Sequence, residues 1–344
     1  MAPDRSPRVL MVHTAFLGDV ILATPLIAAL RRRFPHGHLA FMGAPAGCGL
    51  IQGLDGVDEF LVFDKRGADQ GWRGGVRRAA DLNAQKYDIG LGVHRSLRTA
   101  LLLARARIPR RIGFATSPLP WLYPERVPWE PAAHEVERNL ALMAPLGGRP
   151  AGFTPRLALP ALPPADGELL PESGPGPRVG LCPGSVWPTK RWPARGFARV
   201  AEALAEDAGA QVYLIGSEAD REVTREVASL CRGRVWDMAG KTSLRDWVRL
   251  MAAMDLIVTN DSAPTHIASA LSVPVAVIYG PTTPALGFAP WAGRSAVVEA
   301  EGLACRPCGK HGSRRCPEGH FKCMELLPPA TVIAAALQLL PRGP

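Results

Sequence analysis

One candidate catalytic side chain follows the first apolar run of the sequence. That run, RVLMVH (8–13), is typical of a buried strand, and it leads to Gly18, which permits a tight turn, and to Asp19, where a helical pattern starts. An aspartate at this position commonly caps the helix. It can also act as a general base, because parallel sheets bind ligands at the carboxyl ends of their strands. Asp19 is therefore the first candidate for proton transfer.

Two later segments place anion-binding groups after apolar runs. In CPGSVWPTKRWP (182–193), Lys190 precedes a helical pattern and can neutralise a phosphate at a strand end. In TNDSAPTH (259–266), Asp261 and Ser262 are expected to cap a helix whose first backbone N–H groups bind anions. The two segments together predict a phosphate site.

Two common nucleotide-binding motifs are incomplete. No GxGxxG follows the first strand, which removes the main support for a dinucleotide dehydrogenase. AGKTS (239–243) is similar to the end of a phosphate loop, but the first glycine of that loop is replaced by Val235. We interpret this segment as a turn into a helix, with Thr242 or Ser243 at the N-cap.

A cysteine-rich segment, 305–323, has the pattern C-x2-C-x7-C-x6-C, formed by Cys305, Cys308, Cys316 and Cys323. The first pair has the spacing of a zinc half-site, whereas the second pair is wider than usual. Structural zinc, disulfides or redox-labile pairs, and free thiols packed in a loop all stay open. A catalytic metal is not expected, because a closed cysteine site leaves no open coordination position.

Positive charge is concentrated in one window. Residues 65–111 hold twelve lysines and arginines against three aspartates, which equals the formal excess of nine for all 344 residues. Such a window favours an anionic partner, namely a nucleic acid, an anionic lipid surface or a phosphorylated substrate. Solvated arginines on helix faces explain it equally well.

The elements that carry these residues alternate between strand and helix. Apolar runs at 8–13, 38–43, 59–63 and 88–93 predict strands separated by helices, and the pattern restarts at 178–184, 211–216, 256–261 and 274–280. The sequence therefore predicts an α/β fold of two Rossmann-like, doubly wound domains, which implies a cleft between them.

Proline and glycine mark the boundary between the two halves. They are dense from 147 to 177, where neither a helix nor a central strand can continue. We predict an N-terminal domain at 1–150, a linker at 151–177, a C-terminal domain at 178–327 that includes the cysteine-rich segment, and a terminal helix and tail at 328–344.

The motifs jointly resemble glycosyltransferase family 9, the ADP-heptose:lipopolysaccharide heptosyltransferases, and most of all its heptosyltransferase II branch. The resemblance spans nearly the whole chain in the right order, through FLGDVILATPLIAALRRRFP, CPGSVWPTKRWP, LIGSEADRE, AGKTSL, LIVTNDSAPTHIASAL and PVAVIYGPTTP. It implies the GT-B architecture, with the nucleotide sugar bound by the C-terminal domain and the acceptor by the N-terminal one. It also implies inversion at the anomeric carbon without a catalytic metal or other cofactor.

The resemblance also implies roles for single residues. The glycine-aspartate pair of the family falls on Gly18 and Asp19, and the aspartate is the expected general base. The expected donor contacts are Ser185, Lys190, Glu218, Thr242, Asp261, Ser262 and His266. Glu218 corresponds to the acid that contacts the ribose, and 240–244 corresponds to the segment beside the adenine. Arg95, Ser96 and Arg98 of HRSLR (94–98) follow a predicted strand and are the candidate acceptor contacts.

The sequence departs from the family pattern at Ala263, where the family usually has glycine. If that position needs a positive φ, alanine costs about 1 kcal/mol or more.

The implied function is transfer of heptose from ADP-heptose to the lipopolysaccharide inner core. Its acceptor, Kdo and phosphorylated lipid A, is anionic and membrane-anchored, which suits the basic window. The enzyme would then work in the cytoplasm, in peripheral contact with the inner membrane. A cytoplasmic location also agrees with the first thirty residues, because Asp19 interrupts their apolar run and the arginines follow it, unlike a signal peptide.

Two other functions compete with this one. A family member that uses another nucleotide sugar, or a GT-B epimerase, would keep the fold. A nucleic-acid-binding protein with a zinc module is the other class, but no nucleic-acid partner is expected, because aromatic side chains do not alternate with the basic ones.

Overall fold

A computed structural model describes residues 6–162, 169–171 and 174–341. Contacts within the chain divide it into two compact units, Met1–Ala161 and Leu162–Pro344, called unit 1 and unit 2 below. The predicted linker (151–177) and tail (328–344) each include positions outside the described residues.

Unit 1 contains a six-stranded parallel sheet. Its strands are β1 (Arg8–His13), β2 (His38–Gly43), β3 (Glu59–Val62), β4 (Ile89–Gly92), β5 (Arg110–Phe114) and β6 (Glu125–Val127). Their spatial order is β3-β2-β1-β4-β5-β6. The direction of winding reverses between β1 and β4, and ligands of doubly wound sheets bind at the carboxyl ends of such a strand pair.

The helices of unit 1 are α1 (Leu17–Leu22), α2 (Thr24–Arg33), α3 (Pro45–Ile51), α4 (Gly71–Ala84), α5 (Leu97–Arg105) and α6 (Glu135–Ala141). The central strands β1 and β4 are buried almost throughout, as strands covered on both faces must be. One core cluster packs Leu10 and Val12 of β1 against Leu82 of α4 and Leu103 of α5. This packing fixes the strand ends from which the loops of the site leave.

Unit 2 repeats the arrangement. Its strands are β7 (Arg178–Cys182), β8 (Gln211–Leu214), β9 (Val235–Asp237), β10 (Leu256–Asn260), β11 (Val275–Tyr279) and β12 (Ser295–Glu299). All pairs are parallel, in the order β12-β11-β10-β7-β8-β9, so the reversal lies between β10 and β7. Thr259 pairs in register with Cys182 at the carboxyl ends of these two strands.

The helices of unit 2 are α7 (Ala194–Ala208), α8 (Arg221–Leu230), α9 (Leu244–Ala252), α10 (Ala263–Leu271), α11 (Lys322–Glu325) and α12 (Pro329–Leu339). Trp192, Phe197 and Leu204 from α7 and its entry form one core cluster with Met324 and Val332 near the C-terminus. The two Rossmann-like domains expected from the sequence are thereby confirmed.

Candidate functional site

Asp19 lies in the first turn of α1, at the carboxyl end of β1. It is the third helical residue, and the N-cap position expected for an aspartate is taken by Phe16. The Asp19 carboxylate accepts a hydrogen bond from the Phe16 backbone N–H at 3.2 Å. Gly18 is buried, whereas Asp19 is half-buried. The hydrogen bond to the N-cap residue of α1 thus orients the carboxylate, which stays partly accessible to solvent.

Two histidines lie at the carboxyl ends of the central strand pair. His13 ends β1 and His94 follows β4, and their rings stack with centroids 6.2 Å apart and planes 18° apart. His13 is only 2% exposed. Burial, and then the proximity of His94, lowers the pKa of His13 to about 3. The His13 imidazole is therefore neutral at physiological pH and adds no charge at the carboxyl end of β1.

Arg95 is held by an aromatic ring in the loop after β4. Its guanidinium carbon lies 3.9 Å from the centre of the Trp129 ring, and Nη1 donates to the Thr116 hydroxyl at 3.2 Å. The guanidinium of the buried Arg138 lies 4.4 Å from the centre of the same ring. This stacking gives Arg95 a defined orientation at the strand end.

Ser96 and Arg98 have different environments. The Ser96 hydroxyl accepts from the Thr99 backbone N–H at 3.1 Å and therefore caps α5. Arg98 is exposed, and it lowers the pKa of Lys65 together with burial, the larger cause, and Arg66. The Lys65 ammonium donates to the Thr14 carbonyl at 3.2 Å, beside β1. Lys65, from the loop after β3, and Arg98, from the first turn of α5, therefore influence each other electrostatically.

Three arginines of the basic window are paired with carboxylates. Arg77 and Arg78 pair with the buried Asp69, at 3.5 Å and 3.2 Å. Arg110 makes a two-pronged pair with Glu125. These three arginines are therefore offset locally, whereas Lys65 from the loop after β3, Arg95 from the loop after β4 and Arg98 from the first turn of α5 lie near the carboxyl ends of the strands.

In unit 2, three strands deliver one polar cluster. Lys190 follows β7, Asp261 follows β10, and Thr282 follows β11. The Lys190 ammonium lies 2.6 Å from Oδ2 of Asp261, and the Thr282 hydroxyl donates to the same oxygen at 2.6 Å. Lys190 is 13% exposed and Asp261 7%, so the pair is largely shielded from water. We call Lys190, Asp261 and Thr282 the lysine cluster.

Asn260 fixes the loop that carries Lys190. Its buried amide donates to the Pro183 carbonyl at 2.7 Å and accepts from the Trp192 backbone N–H at 3.1 Å. Ser185, which lies between these two contacts, is buried and accepts from the Trp187 backbone N–H at 3.3 Å. The loop is therefore tied at both ends to the end of β10.

At the start of α10, the expected capping by Asp261 and Ser262 side chains is not found. Ser262 occupies the N-cap position but makes no capping hydrogen bond through its side chain, and Asp261 bonds to Lys190 and Thr282 instead of capping. Ala263 is the first helical residue, so its backbone is right-handed and the departure from glycine causes no strain. His266 is buried in the first turns of the helix.

Glu218 and the turn before α9 form a second group in unit 2. The Glu218 carboxylate pairs with Arg221 at 3.1 Å, and Arg221 donates to the Gly240 carbonyl at 3.2 Å. Gly240 has φ +65°, a conformation that glycine adopts without strain. The alternative left open for the cap of α9 resolves to Ser243, which accepts from the Asp246 N–H, while Thr242 is half-buried before it.

The cysteine-rich segment holds thiols, not disulfides. All seven cysteines are free, and the segment's last one, Cys323, is buried in the core of unit 2. Across 6–162, 169–171 and 174–341, no group of three or more histidine, cysteine or acidic side chains has an arrangement that could hold a metal ion. The zinc site considered from the spacing therefore has no support in the structure.

Sequence reasoning missed three residues of these sites. Thr282 stands in PVAVIYGPTTP, directly after a predicted strand, so the strand-end rule that identified Asp261 also applies to it. Lys65 likewise follows β3 by three residues. No local sequence pattern identifies Trp129, because its role depends on its contact with Arg95, which is distant in the sequence.

Three comparisons relate the chain to known proteins. Residues 76–318 match the model of glycosyltransferase family 9 (heptosyltransferase). A lipopolysaccharide heptosyltransferase 2 of Salmonella typhimurium is 32% identical over 295 residues, which cover 80% of this chain and 84% of the relative.

Solved structures agree. An Escherichia coli ADP-heptose LPS heptosyltransferase II has a TM-score of 0.75 and 26% identity, with 96% of this chain and 98% of the other covered. A family 9 glycosyltransferase of Veillonella parvula has a TM-score of 0.83 at 24% identity, with 97% of each chain covered, and shows the shared fold.

Proposed function

The chain belongs to glycosyltransferase family 9, and from this premise we propose that it transfers heptose from ADP-L-glycero-D-manno-heptose to the inner core of lipopolysaccharide. The heptosyltransferase 2 relatives and the E. coli structure support the donor and the acceptor class. The structural observation that carries the proposal is the lysine cluster, because it joins three parallel strand ends where a diphosphate would lie.

The donor is assigned to unit 2. Lys190, the loop at Ser185 and the first N–H groups of α10 would hold the diphosphate, since they combine a cation with backbone donors. Glu218 would contact the ribose, and 240–244, which includes Thr242, would flank the adenine. Ser262 and His266 complete this set at the start of α10.

The reaction needs a base for the acceptor. The acceptor hydroxyl oxygen forms a bond to the anomeric carbon, while the bond from that carbon to the diphosphate oxygen breaks and its electron pair leaves with ADP. The hydroxyl proton passes to the Asp19 carboxylate. Lys190 stabilises the charge that grows on the diphosphate, and attack opposite the leaving group inverts the anomeric centre.

The acceptor is assigned to unit 1, beside Gly18 and Asp19. Arg95 and Arg98 suit an acceptor that carries carboxylates and phosphates, because guanidinium groups bind both through paired hydrogen bonds, and the Lys65 ammonium adds a point charge. Ser96 lies between the two arginines. Its hydroxyl already accepts the capping hydrogen bond of α5, so any bond to the acceptor would be made in addition to that one.

Helix α4 is the surface proposed for peripheral contact with the cytoplasmic face of the inner membrane. It exposes Trp72 (63%) and Val76 (42%) beside Arg73, and the guanidinium of Arg105 lies 3.9 Å from the centre of the Trp72 ring. An interfacial tryptophan with neighbouring arginines fits an anionic lipid surface.

The function is tested by incubating the purified chain with ADP-heptose and Kdo-lipid A acceptors with or without a first heptose. Mass spectrometry should show one heptose added and ADP released. UDP-glucose and GDP-mannose are the donor controls. Transfer from either control donor, with none from ADP-heptose, would leave the chain in its family but reject the heptosyl donor.

The membrane surface is tested by co-sedimentation with phosphatidylglycerol vesicles. Trp72→Ala should reduce binding, while Trp121→Ala, which removes an equally exposed indole from another element, should not. Equal binding by wild type and Trp72→Ala would reject α4 as the contact.

A further inference from the structure

The cysteine-rich segment packs on the loop that carries Lys190. The Ser313 carbonyl accepts from the Thr189 backbone N–H at 3.2 Å and from the Thr189 hydroxyl at 2.8 Å, and the Ser313 N–H donates back to that hydroxyl at 2.8 Å. Gly312 is buried against the loop that carries Lys190. A Cβ there would lie 2.5 Å from Cβ of Trp187 and 2.9 Å from Cγ of Lys190. The fit therefore requires glycine.

The same segment is anchored at the ends of β11 and β12. The Arg306 guanidinium, 7% exposed, donates to the carbonyls of Ala300 and Thr282 at 2.9 Å and 3.0 Å and pairs with Glu299 at 2.7 Å. The Cys308 N–H donates to the Pro281 carbonyl at 2.8 Å. The stretch between these anchors and Ser313 is therefore held against the strand ends that supply the lysine cluster.

That stretch carries two basic side chains, Lys310 and His311. His311 directly precedes Gly312, whose backbone packs against the Lys190 side chain, and its own side chain lies at the surface beside that contact. Partial burial, Lys190 and Lys310 lower the pKa of His311, while Asp261 raises it. The charge of Lys190 is already offset by Asp261, and the Thr282 hydroxyl is also committed to that carboxylate. A diphosphate bound at the cluster needs further donors and positive charge.

We propose that 309–313 forms a wall of the donor site, with His311 donating a hydrogen bond to the donor's diphosphate and Lys310 adding positive charge beside it. The inference rests on the proposed function, because it takes the lysine cluster to be the diphosphate site. It gives the cysteine-rich segment a role in positioning this wall.

The test measures ADP affinity by calorimetry and adenosine affinity by ligand-observed NMR on the full chain. His311→Ala should weaken ADP binding about ten-fold, the scale of one hydrogen bond to a charged group, and leave adenosine binding unchanged. Gly312→Ala should weaken ADP binding in the same direction by displacing the wall. Gly293→Ala is the matched control, because a Cβ at Gly293 meets nothing within 4 Å.

Circular dichroism shows whether each variant is folded, and His311→Ala provides the test if Gly312→Ala is not. The inference alone is overturned if the wild type binds ADP and His311→Ala binds it as tightly, or if adenosine affinity falls as much as ADP affinity. A wild type that binds UDP more tightly than ADP overturns the proposed donor alone, and equal UDP affinity of the wild type and His311→Ala would then overturn the inference as well.

Discussion

Lys190 and Asp261 form one largely buried ion pair. The position and the net charge of each side chain therefore depend on the other. The carboxylate holds the ammonium at the strand edge and leaves its other two N–H donors for a ligand. Removing one partner of a buried pair leaves an uncompensated charge, which commonly costs about 3–5 kcal/mol. A variant of Lys190 alone should therefore change stability and, under the proposed function, ADP binding as well.

We expect Lys190→Ala to weaken ADP binding by about 1.5–3 kcal/mol, the scale of a hydrogen bond between charged groups. Calorimetric titration measures this loss. Lys190→Ala/Asp261→Asn should restore much of the thermal stability without restoring ADP affinity, because it removes the unpaired carboxylate but supplies no cation. Lys322→Ala, at an exposed lysine of unit 2, is the control. Unchanged ADP affinity in Lys190→Ala would exclude Lys190 from the donor site.

Asp19→Asn separates a general base from a helix cap. Asparagine keeps an oxygen that can accept from the Phe16 N–H, so folding and ADP affinity should stay nearly unchanged. It cannot take the proton of the acceptor hydroxyl, so turnover should fall by about 10²–10⁴. Turnover and melting temperature are measured on the same preparation. Near-normal turnover would exclude Asp19 as the base and leave it a structural role, through the hydrogen bond to the Phe16 N–H.

At the scale of elements, the edge formed by β1 and β4 contains a buried imidazole that is sensitive to acid. The folded pKa of His13 is about 3, against 6.5 for an ordinary histidine. Between these values the unfolded chain binds a proton that the folded chain does not. The stabilising effect of the neutral ring is therefore complete above about pH 6.5 and is lost as the pH falls toward 3.

Urea unfolding at several pH values between about 5 and 7 should show this effect. Because of His13, the free energy of unfolding should fall by up to about 1.4 kcal/mol for each unit by which the pH is lowered. His13→Gln should flatten that slope, whereas His36→Gln, at an exposed histidine, should leave it unchanged. Parallel pH profiles for the wild type and His13→Gln would contradict the low pKa of His13.

The elements also show where sequence reasoning succeeds. Runs such as HLAFMG (38–43) and LIVTN (256–260) are apolar throughout because both sheet faces are covered, and their strands match the prediction within a residue or two. Strands β6 and β9 have three residues each and lie at sheet edges, so they leave no periodic signal. Strand β5 starts with two arginines and was missed for that reason.

The candidate sites follow the same division. Asp19, Lys190 and Asp261 were identified because they follow strands in sequence. The Lys190 to Asp261 pair joins positions 71 residues apart, and the contact of Trp129 with Arg95 depends on packing after β6. No local pattern predicts which strand-end side chains neutralise one another.

For the whole molecule, charge and hydropathy fit an enzyme that acts on an anionic, lipid-linked acceptor. Within the part of the chain that the structure describes, no helix is long and apolar enough to cross a membrane. The net charge of +9 is the excess that is left after every acidic side chain, including Asp69 and Glu125, is counted against a basic one. Lys65, Arg95 and Arg98 belong to this excess and lie near the carboxyl ends of the unit 1 strands.

A ligand that binds only the native state raises the stability of the whole folded chain. The donor preference can therefore be measured as a change in stability. At a concentration of one hundred times its Kd, ADP should add about 2.7 kcal/mol to the free energy of unfolding, and UDP and GDP should add less. Differential scanning fluorimetry with the three nucleotides measures the shifts, and Lys190→Ala should reduce the shift with ADP. Because the donor is assigned to unit 2, hydrogen exchange should slow with ADP around 185–191 and 261–266, while unit 1 stays unchanged. A larger thermal shift with UDP than with ADP would reject an adenine-nucleotide donor, and ADP protection confined to unit 1 would reverse the assignment of donor and acceptor to the two units.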